Sequence, residues 1–209
     1  MKKNLTIAAA GLFAMVALGS CSKKDTFVGS WQGLQPIDIS SSLPAAASGN
    51  ALLSVTFNAD SAKTGTGTVE FTSLVSANQS VDETPGIVSP YEVSVAATAA
   101  INGTWSYAPG EDDELILNLD YSTLNVTVDP NGVTFRQNQL TEAQMPLTDS
   151  LTTATAELWK SQISDAMHKE FMKFSRIEDV KVKTDKSGTE YLKFETDHPD
   201  QEFMFRKAL

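Results

Sequence analysis

An alternation of apolar and polar residues, with a period of two, runs through the middle of this chain and constrains it more than any other feature. Leu53, Val55 and Phe57 alternate with Ser54, Thr56 and Asn58; Val69 and Phe71 alternate with Thr68, Glu70 and Thr72; Tyr91, Val93 and Val95 alternate with Glu92 and Ser94. Leu115, Leu117, Leu119 and Tyr121 alternate with Glu114, Asn118 and Asp120, interrupted by Ile116, and Leu124, Val126 and Val128 alternate with Thr123, Asn125, Thr127 and Asp129. Successive strand side chains point to opposite faces, so each run reads as a strand with one buried and one wet face. Asp129-Pro130-Asn131-Gly132 and Asp185-Lys186-Ser187-Gly188 carry turn chemistry and both read as hairpins. Further strands are expected at Phe27–Trp31, Ile177–Lys183, Tyr191–Glu195 and Glu202–Arg206, and residues 34–50, rich in Ser, Ala and Pro, read as a surface loop. The expected fold is mainly β, an antiparallel meander or β-barrel of about ten strands.

One segment breaks the period. Leu151, Ala154, Leu158, Trp159, Ile163, Met167, Phe171 and Phe174 recur mostly every three or four residues, while Thr153, Glu157, Lys160, Gln162, Asp165 and Lys169 lie opposite. This spacing predicts one long amphipathic helix near residues 149–174, started by Thr148 or Asp149 and barred from extending upstream by Pro146. Such a helix packs across a sheet or plugs one end of a barrel. Its Met and aromatic stripe reads as core, not as a cofactor site.

The N-terminus has a different logic. Lys2 and Lys3 precede an apolar run from Leu5 to Leu18, and small residues lead to the only cysteine in Leu18-Gly19-Ser20-Cys21. A charged start, a short apolar stretch and small residues at the cut mark a secretory signal peptide, and the run is shorter than the ~20 residues a membrane span needs. Leu18-Gly19-Ser20-Cys21 resembles the lipobox cut by bacterial lipoprotein signal peptidase. The resemblance implies cleavage before Cys21, diacylglycerol on its thiol and a further acyl chain, such as palmitate, on its amine. One acyl chain holds a membrane only marginally, but two or three hold it durably. The competing reading is an ordinary secretory signal with an incidental cysteine. The expected organisation is a signal peptide at 1–20, a lipidated tether at 21–26 and a single domain at 27–209.

Charge and cysteine usage narrow the function classes. The precursor carries −10, and loss of Lys2 and Lys3 leaves 14 basic against 26 acidic residues, a formal charge near −12. Nucleic acid needs a basic patch, so no nucleic-acid partner is expected. With Cys21 lipidated no cysteine remains, which leaves no disulfide and no thiolate chemistry.

Two Gly-x-Trp sites occur, Gly29-Ser30-Trp31 and Gly103-Thr104-Trp105, and the second runs through Pro109-Gly110 into Leu115-Ile116-Leu117-Asn118-Leu119. Together with the lipobox these resemble lipocalin-like lipoproteins of Gram-negative bacteria. In lipocalins an Arg of the last strand packs over the first Gly-x-Trp, and the matching residue here is Arg206. The resemblance therefore implies a barrel closed by Gly29, Trp31, Gly103, Trp105 and Arg206. It also implies an outer-membrane protein on the periplasmic or surface face. The helix departs from the lipocalin pattern, since it precedes the last three strands; a larger, partly open or flattened barrel fits as well.

Catalytic chemistry is not legible. His168 and His198 have no metal-binding spacing and read as solvated; Glu111-Asp112-Asp113-Glu114 lacks the spaced ligands of a calcium loop and reads as a wet turn. No nucleophile elbow or phosphate-binding Gly loop is present. The chain is expected not to be an enzyme and to need no cofactor. The expectation is a membrane-anchored binding module for a small apolar ligand or an envelope partner. The alternative is a structural or interaction subunit with a filled barrel and no ligand. An apolar cavity of ~300 Å3 or more would favour the ligand.

Overall fold

The structure, a computed structural model, describes residues 26–81, 91–137 and 149–208. Cys21 with Leu18, Gly19 and Ser20, the tether residues 22–25, and the helix-start residues Pro146 and Thr148 lie outside the described residues.

Nine antiparallel strands form one sheet: β1 (Gly29–Gly33), β2 (Ile37–Asp38), β3 (Ala47–Ala59), β4 (Thr66–Val81), β5 (Tyr91–Tyr107), β6 (Leu115–Gln137), β7 (Arg176–Thr184), β8 (Glu190–Thr196) and β9 (Gln201–Lys207). A helix, α1 (Asp149–Met172), joins β6 to β7 and runs into a 3-10 turn at Lys173–Ser175. The strand order is β1-β9-β8-β7-β6-β5-β4-β3-β2, and β1 also pairs with β3. That second pairing closes a barrel-like ring of eight strands, with β2 as an extra rung on β3. The parity read from the sequence holds: Leu53, Val55, Phe57, Val69, Phe71, Val93 and Val95 are buried, while Thr68, Glu70 and Thr72 are exposed.

Three expectations are corrected. Asp129–Gly132 is not a hairpin turn. Val95 pairs with Val133 and Ala97 with Val128, so the four residues loop out of a strand that continues along β5. Tyr121–Leu124 does the same, because Asn102 pairs with Asp120 and Ala100 with Asn125. The two runs read as separate strands are therefore one bulged strand, and the described strands number nine. Residues 34–50 are not all loop: β2 and the start of β3 fall there, and Ile37 and Ile39 are buried. Asp185–Gly188, by contrast, does join two paired strands, β7 and β8.

The seam between β6 and β7 is thin. The two strands pair only at Leu115–Ile177 and Ile116–Arg176. Beyond that point α1 packs along β6 and faces the interior with Ala156, Trp159, Ile163, Ala166, Met167 and Phe171, and the 3-10 turn after it adds Phe174. The helix thus does the covering that a strand does lower in the ring. Its stripe is rotated from the one expected: Leu158 and Ala154 face solvent, Gln162 is half-buried, and Glu170 is only 3% exposed. The large side chains at 159, 163, 167 and 171 fill the space inside the sheet.

Candidate functional site

Both Gly-x-Trp sites converge on one end of the ring, where they build a seal. Phe27 stands at its centre, edge-on to Phe57 at 5.1 Å, to Trp105 at 5.0 Å and to Tyr107 at 6.2 Å between ring centroids. The indole of Trp31 donates to the carbonyl of Phe27 at 2.7 Å, and that of Trp105 donates to the carbonyl of Asn58 at 3.0 Å. Buried indoles are satisfied in this way on both sides of the seal.

Missing side chains make the geometry possible. Gly67 lies directly opposite Trp105 on β4, and a Cβ there would sit 1.8 Å from the carbonyl oxygen of Asn58 and 2.6 Å from the indole nitrogen of Trp105. Gly103 plays a similar part on β5, where a Cβ would stand 2.5 Å from the carbonyl oxygen of Asn118. Gly29 has φ of +135°, which L side chains rarely adopt. Gly67 escaped the sequence reading. Its only signal is a glycine inside a strand facing a Trp on the next, a pairing that register alone reveals.

The closing cation is not Arg206. Trp31 pairs with Lys207 across β1 and β9, and the Lys207 ammonium lies 5.6 Å from the indole centroid. Arg206 pairs with Gln32 and is exposed. Strand parity puts alternate residues of β9 on opposite faces, so Phe203, Phe205 and Lys207 share the Trp31 side and Arg206 does not. Lys207 is held there by an ion pair with Glu190.

The interior is occupied by large side chains. Phe71 packs on Phe174 at 5.0 Å and on Phe171 at 5.9 Å; Phe174 reaches Phe203 at 4.9 Å and Phe194 at 6.2 Å. Trp159 is buried with them. Glu170 is a buried carboxylate. It pairs with Lys173 at 2.5 Å and accepts from the Ser42 hydroxyl at 3.3 Å, which ties the turn after β2 to the helix. Ser73 Oγ and Gln162 Oε1 are buried without a hydrogen-bond partner among the described residues.

Two concavities lie on the outside of the sheet. One, of about 290 Å3, is lined by exposed Thr72, Leu74, Thr98 and Asn125, with Ser54, Ser73, Ala99 and Ala100. The other, of about 530 Å3, is a hydroxyl- and amide-lined groove beside the β3–β4 turn, bounded by Asp60, Lys63, Thr66, Thr68, Thr104, Ser106 and Asn118.

The remaining titratable candidates each have a close neighbour. In the acidic turn Glu114 pairs with Arg176, whose pKa is raised by that carboxylate, and the Asp113 carbonyl accepts from the Val180 backbone. His168 is exposed and packs at a tilt on Tyr121 with ring centroids 4.4 Å apart, and the Tyr121 phenol is pushed up by burial; His198 is exposed beside Asp197 at 3.1 Å. Among the described residues, no three His, Cys, Asp or Glu side chains are placed to hold a metal. Nor does any described helix have the length and apolarity to cross a membrane.

The fold and site define a class: a barrel-like antiparallel sheet, sealed at one end by two Gly-x-Trp motifs and filled by a helix. No protein-family model, curated protein or solved structure matches the chain.

Proposed function

We propose that this chain is a lipid-anchored envelope protein of a Gram-negative bacterium, acylated at Cys21 in the outer membrane, whose domain acts as an interaction subunit. The observation that carries the interaction role is the interior. Phe71, Trp159, Phe171, Phe174, Phe194 and Phe203 occupy the space where a carrier would hold an apolar ligand. The lipobox resemblance of Leu18-Gly19-Ser20-Cys21 supports the anchor, and the Gly-x-Trp seal supports kinship in design with lipocalin-like lipoproteins.

The anchor also orients the domain. The described chain begins at Thr26 beside the seal. Six residue steps separate Cys21 from Phe27 and span at most about 20 Å. On this reading the sealed end faces the bilayer and the helix-covered half projects from it. The outward side chains of β3–β6 are Ser, Thr and Asn far more often than apolar, so this sheet lacks the apolar band that a lipid-embedded barrel needs.

Two measurements test the reading. Metabolic palmitate labelling should mark the wild-type chain and leave Cys21→Ala unlabelled; label on neither defeats the anchor. Mass spectrometry of small molecules extracted from protein purified out of its own envelope should find none in stoichiometric amount. A stoichiometric apolar molecule would return the ligand-carrier role to first place.

A further inference from the structure

The run Asp129-Pro130-Asn131-Gly132 takes no part in the seal. It holds one of two Asn-Gly pairs in the chain; the other is Asn102-Gly103. An Asn followed by Gly is prone to lose its amide, since glycine has no Cβ to keep its nitrogen from the neighbouring side chain. The reaction closes a five-membered ring, so the Asn backbone must turn out of the extended conformation before the next nitrogen can reach Cγ. The structure treats the two pairs oppositely. Asn102 and Gly103 lie within β5, matched to Glu70 and Val69 of β4 on one side and to Asp120 and Leu119 of β6 on the other. A Cβ on Gly103 would strike the Asn118 carbonyl oxygen at 2.5 Å, so the backbone there is closely confined. Asn131 and Gly132 have no partner on β5, because the pairing passes from Val128 directly to Val133. Strand β6 pairs with β7 only at Leu115 and Ile116, so no strand holds them from the other flank. Asn131 is exposed, and a Cβ on Gly132 would meet nothing closer than 3.2 Å.

We propose that Asn131 is a self-modification site, at which the folded protein converts an amide into a carboxylate and thereby loosens the end of β6. The Gly132 amide nitrogen attacks Cγ of Asn131. A C–N bond forms, the Cγ–Nδ2 bond breaks, and ammonia leaves with the proton from the Gly132 nitrogen. Water then opens the cyclic imide at one of its two carbonyl carbons; the hydroxyl stays on that carbon and the other proton returns to the nitrogen. Opening at Cγ leaves aspartate on an unaltered backbone. Opening at the main-chain carbonyl leaves isoaspartate, in which the chain runs through Cγ and carries one more methylene. Both products change the loop. Asp129 Oδ1 accepts from the Asn131 backbone N–H at 2.9 Å and from its Nδ2 at 3.0 Å. Once the amide is lost, the second contact sets one carboxylate against another. The longer backbone of isoaspartate falls in a four-residue loop whose ends are fixed by the Val128–Ala97 and Val133–Val95 pairs. The cost falls on the short tail of β6, residues 133–137, which pairs with residues 91–95 of β5. The ladder before the loop stays in place. This inference rests on the loop alone and stands apart from the anchor and from the contents of the interior.

Peptide mapping by mass spectrometry tests it, on the full chain kept folded in mild detergent at physiological temperature and mildly alkaline pH. The same chain held in denaturant sets the clock, because there both Asn-Gly pairs are free to react. Over the time in which the denatured chain converts both, the folded chain should convert Asn131 and keep Asn102 as the amide. Gly132→Ala, at a position whose φ is not in the left-handed region, should nearly abolish conversion of Asn131. If that variant does not fold, Asn131→Gln reads the same step, because its extra methylene disfavours the five-membered ring. Hydrogen exchange at the amides of residues 133–135 should be faster in converted than in fresh protein, and unchanged at residues 126–128. An Asn131 that stays an amide in the folded chain while the denatured chain converts it overturns the proposal. So does an Asn102 converted as readily as Asn131 in the folded chain, or conversion undiminished by both variants. Unchanged exchange at residues 133–135 in the converted protein overturns the loosening of β6.

Discussion

A single absent side chain, at Gly67, lets Trp105 reach the carbonyl of Asn58. Gly67→Ala drives a methyl group into backbone that the β3–β4 pairing holds in place, and should cost about 1–3 kcal/mol in denaturant unfolding, the usual penalty of overpacking. A cost within error of zero would mean that the strands part easily there. Ser73 makes the opposite case. Its hydroxyl is buried and unpartnered, so Ser73→Ala removes a desolvated polar group and should leave stability unchanged or raise it by up to about 1 kcal/mol. A loss beyond that range would reveal a partner, such as a buried water. Trp31 and the two cations near the C-terminus show where sequence reading stops. Gly-x-Trp and a basic residue at the end of the last strand were both legible. Which basic residue reaches the indole depends on the register of β9 against β1, and a slip of one residue exchanges Lys207 for Arg206. Lys207→Ala should therefore cost more than Arg206→Ala, with about 0.5–1 kcal/mol of the difference coming from the lost contact with the indole.

At the scale of elements, α1 is where pattern and packing agree in kind and differ in detail. The period and the bounds near 149–174 were readable, because long apolar side chains at helical spacing have few other uses. The rotation was not readable, because it depends on which residues fill the volume inside the ring. Trp159→Ala should cost about 3–5 kcal/mol and leave an apolar void; a smaller loss would show that the sheet collapses onto the helix. The turns teach a related lesson. Asp129-Pro130-Asn131-Gly132 and Asp185-Lys186-Ser187-Gly188 carry similar local chemistry, yet the first loops out of a continuing strand and the second reverses the chain. Turn residues specify a local bend, and long-range pairing with β5 decides whether the strand resumes after it. The two bulges have a further use, since they interrupt the flank of β6 that no strand covers, a common protection against edge-to-edge aggregation. The β7–β8 hairpin should be acid-sensitive. The Asp185 carboxyl is held below the usual carboxylate range by the Ser187 hydroxyl, with help from the backbone of Ser187 and Thr189. A lowered folded pKa means that its stabilisation is present above the unfolded value and lost as pH falls through the folded one. Protection of the hairpin amides from hydrogen exchange should thus decline below about pH 4, and Asp185→Ala should flatten that decline. An identical pH dependence in the two proteins would count against it.

For the whole molecule, the chain's own logic separates address from architecture. If Cys21 serves only as the anchor, Cys21→Ala should mislocalise the protein and leave the melting temperature of its domain unchanged; a large drop would show that the residues around Cys21 take part in the fold. The sequence by itself determined the class of fold, the alternating strands, the helix and its place between the sixth and seventh strands described. It could do so because burial imposes a period of two on strands and near 3.6 on helices, and those periods survive in one dimension. Only the tertiary structure decided that the sheet closes through β1 onto both β3 and β9 and that both Gly-x-Trp motifs meet at Phe27. It alone decided that Lys207 reaches Trp31, and that the helix fills the interior while Leu74 stands out on the outer face of β4. Each of these is a relation between residues far apart in the chain, set by register, closure and the competition for interior volume, and none leaves a local trace.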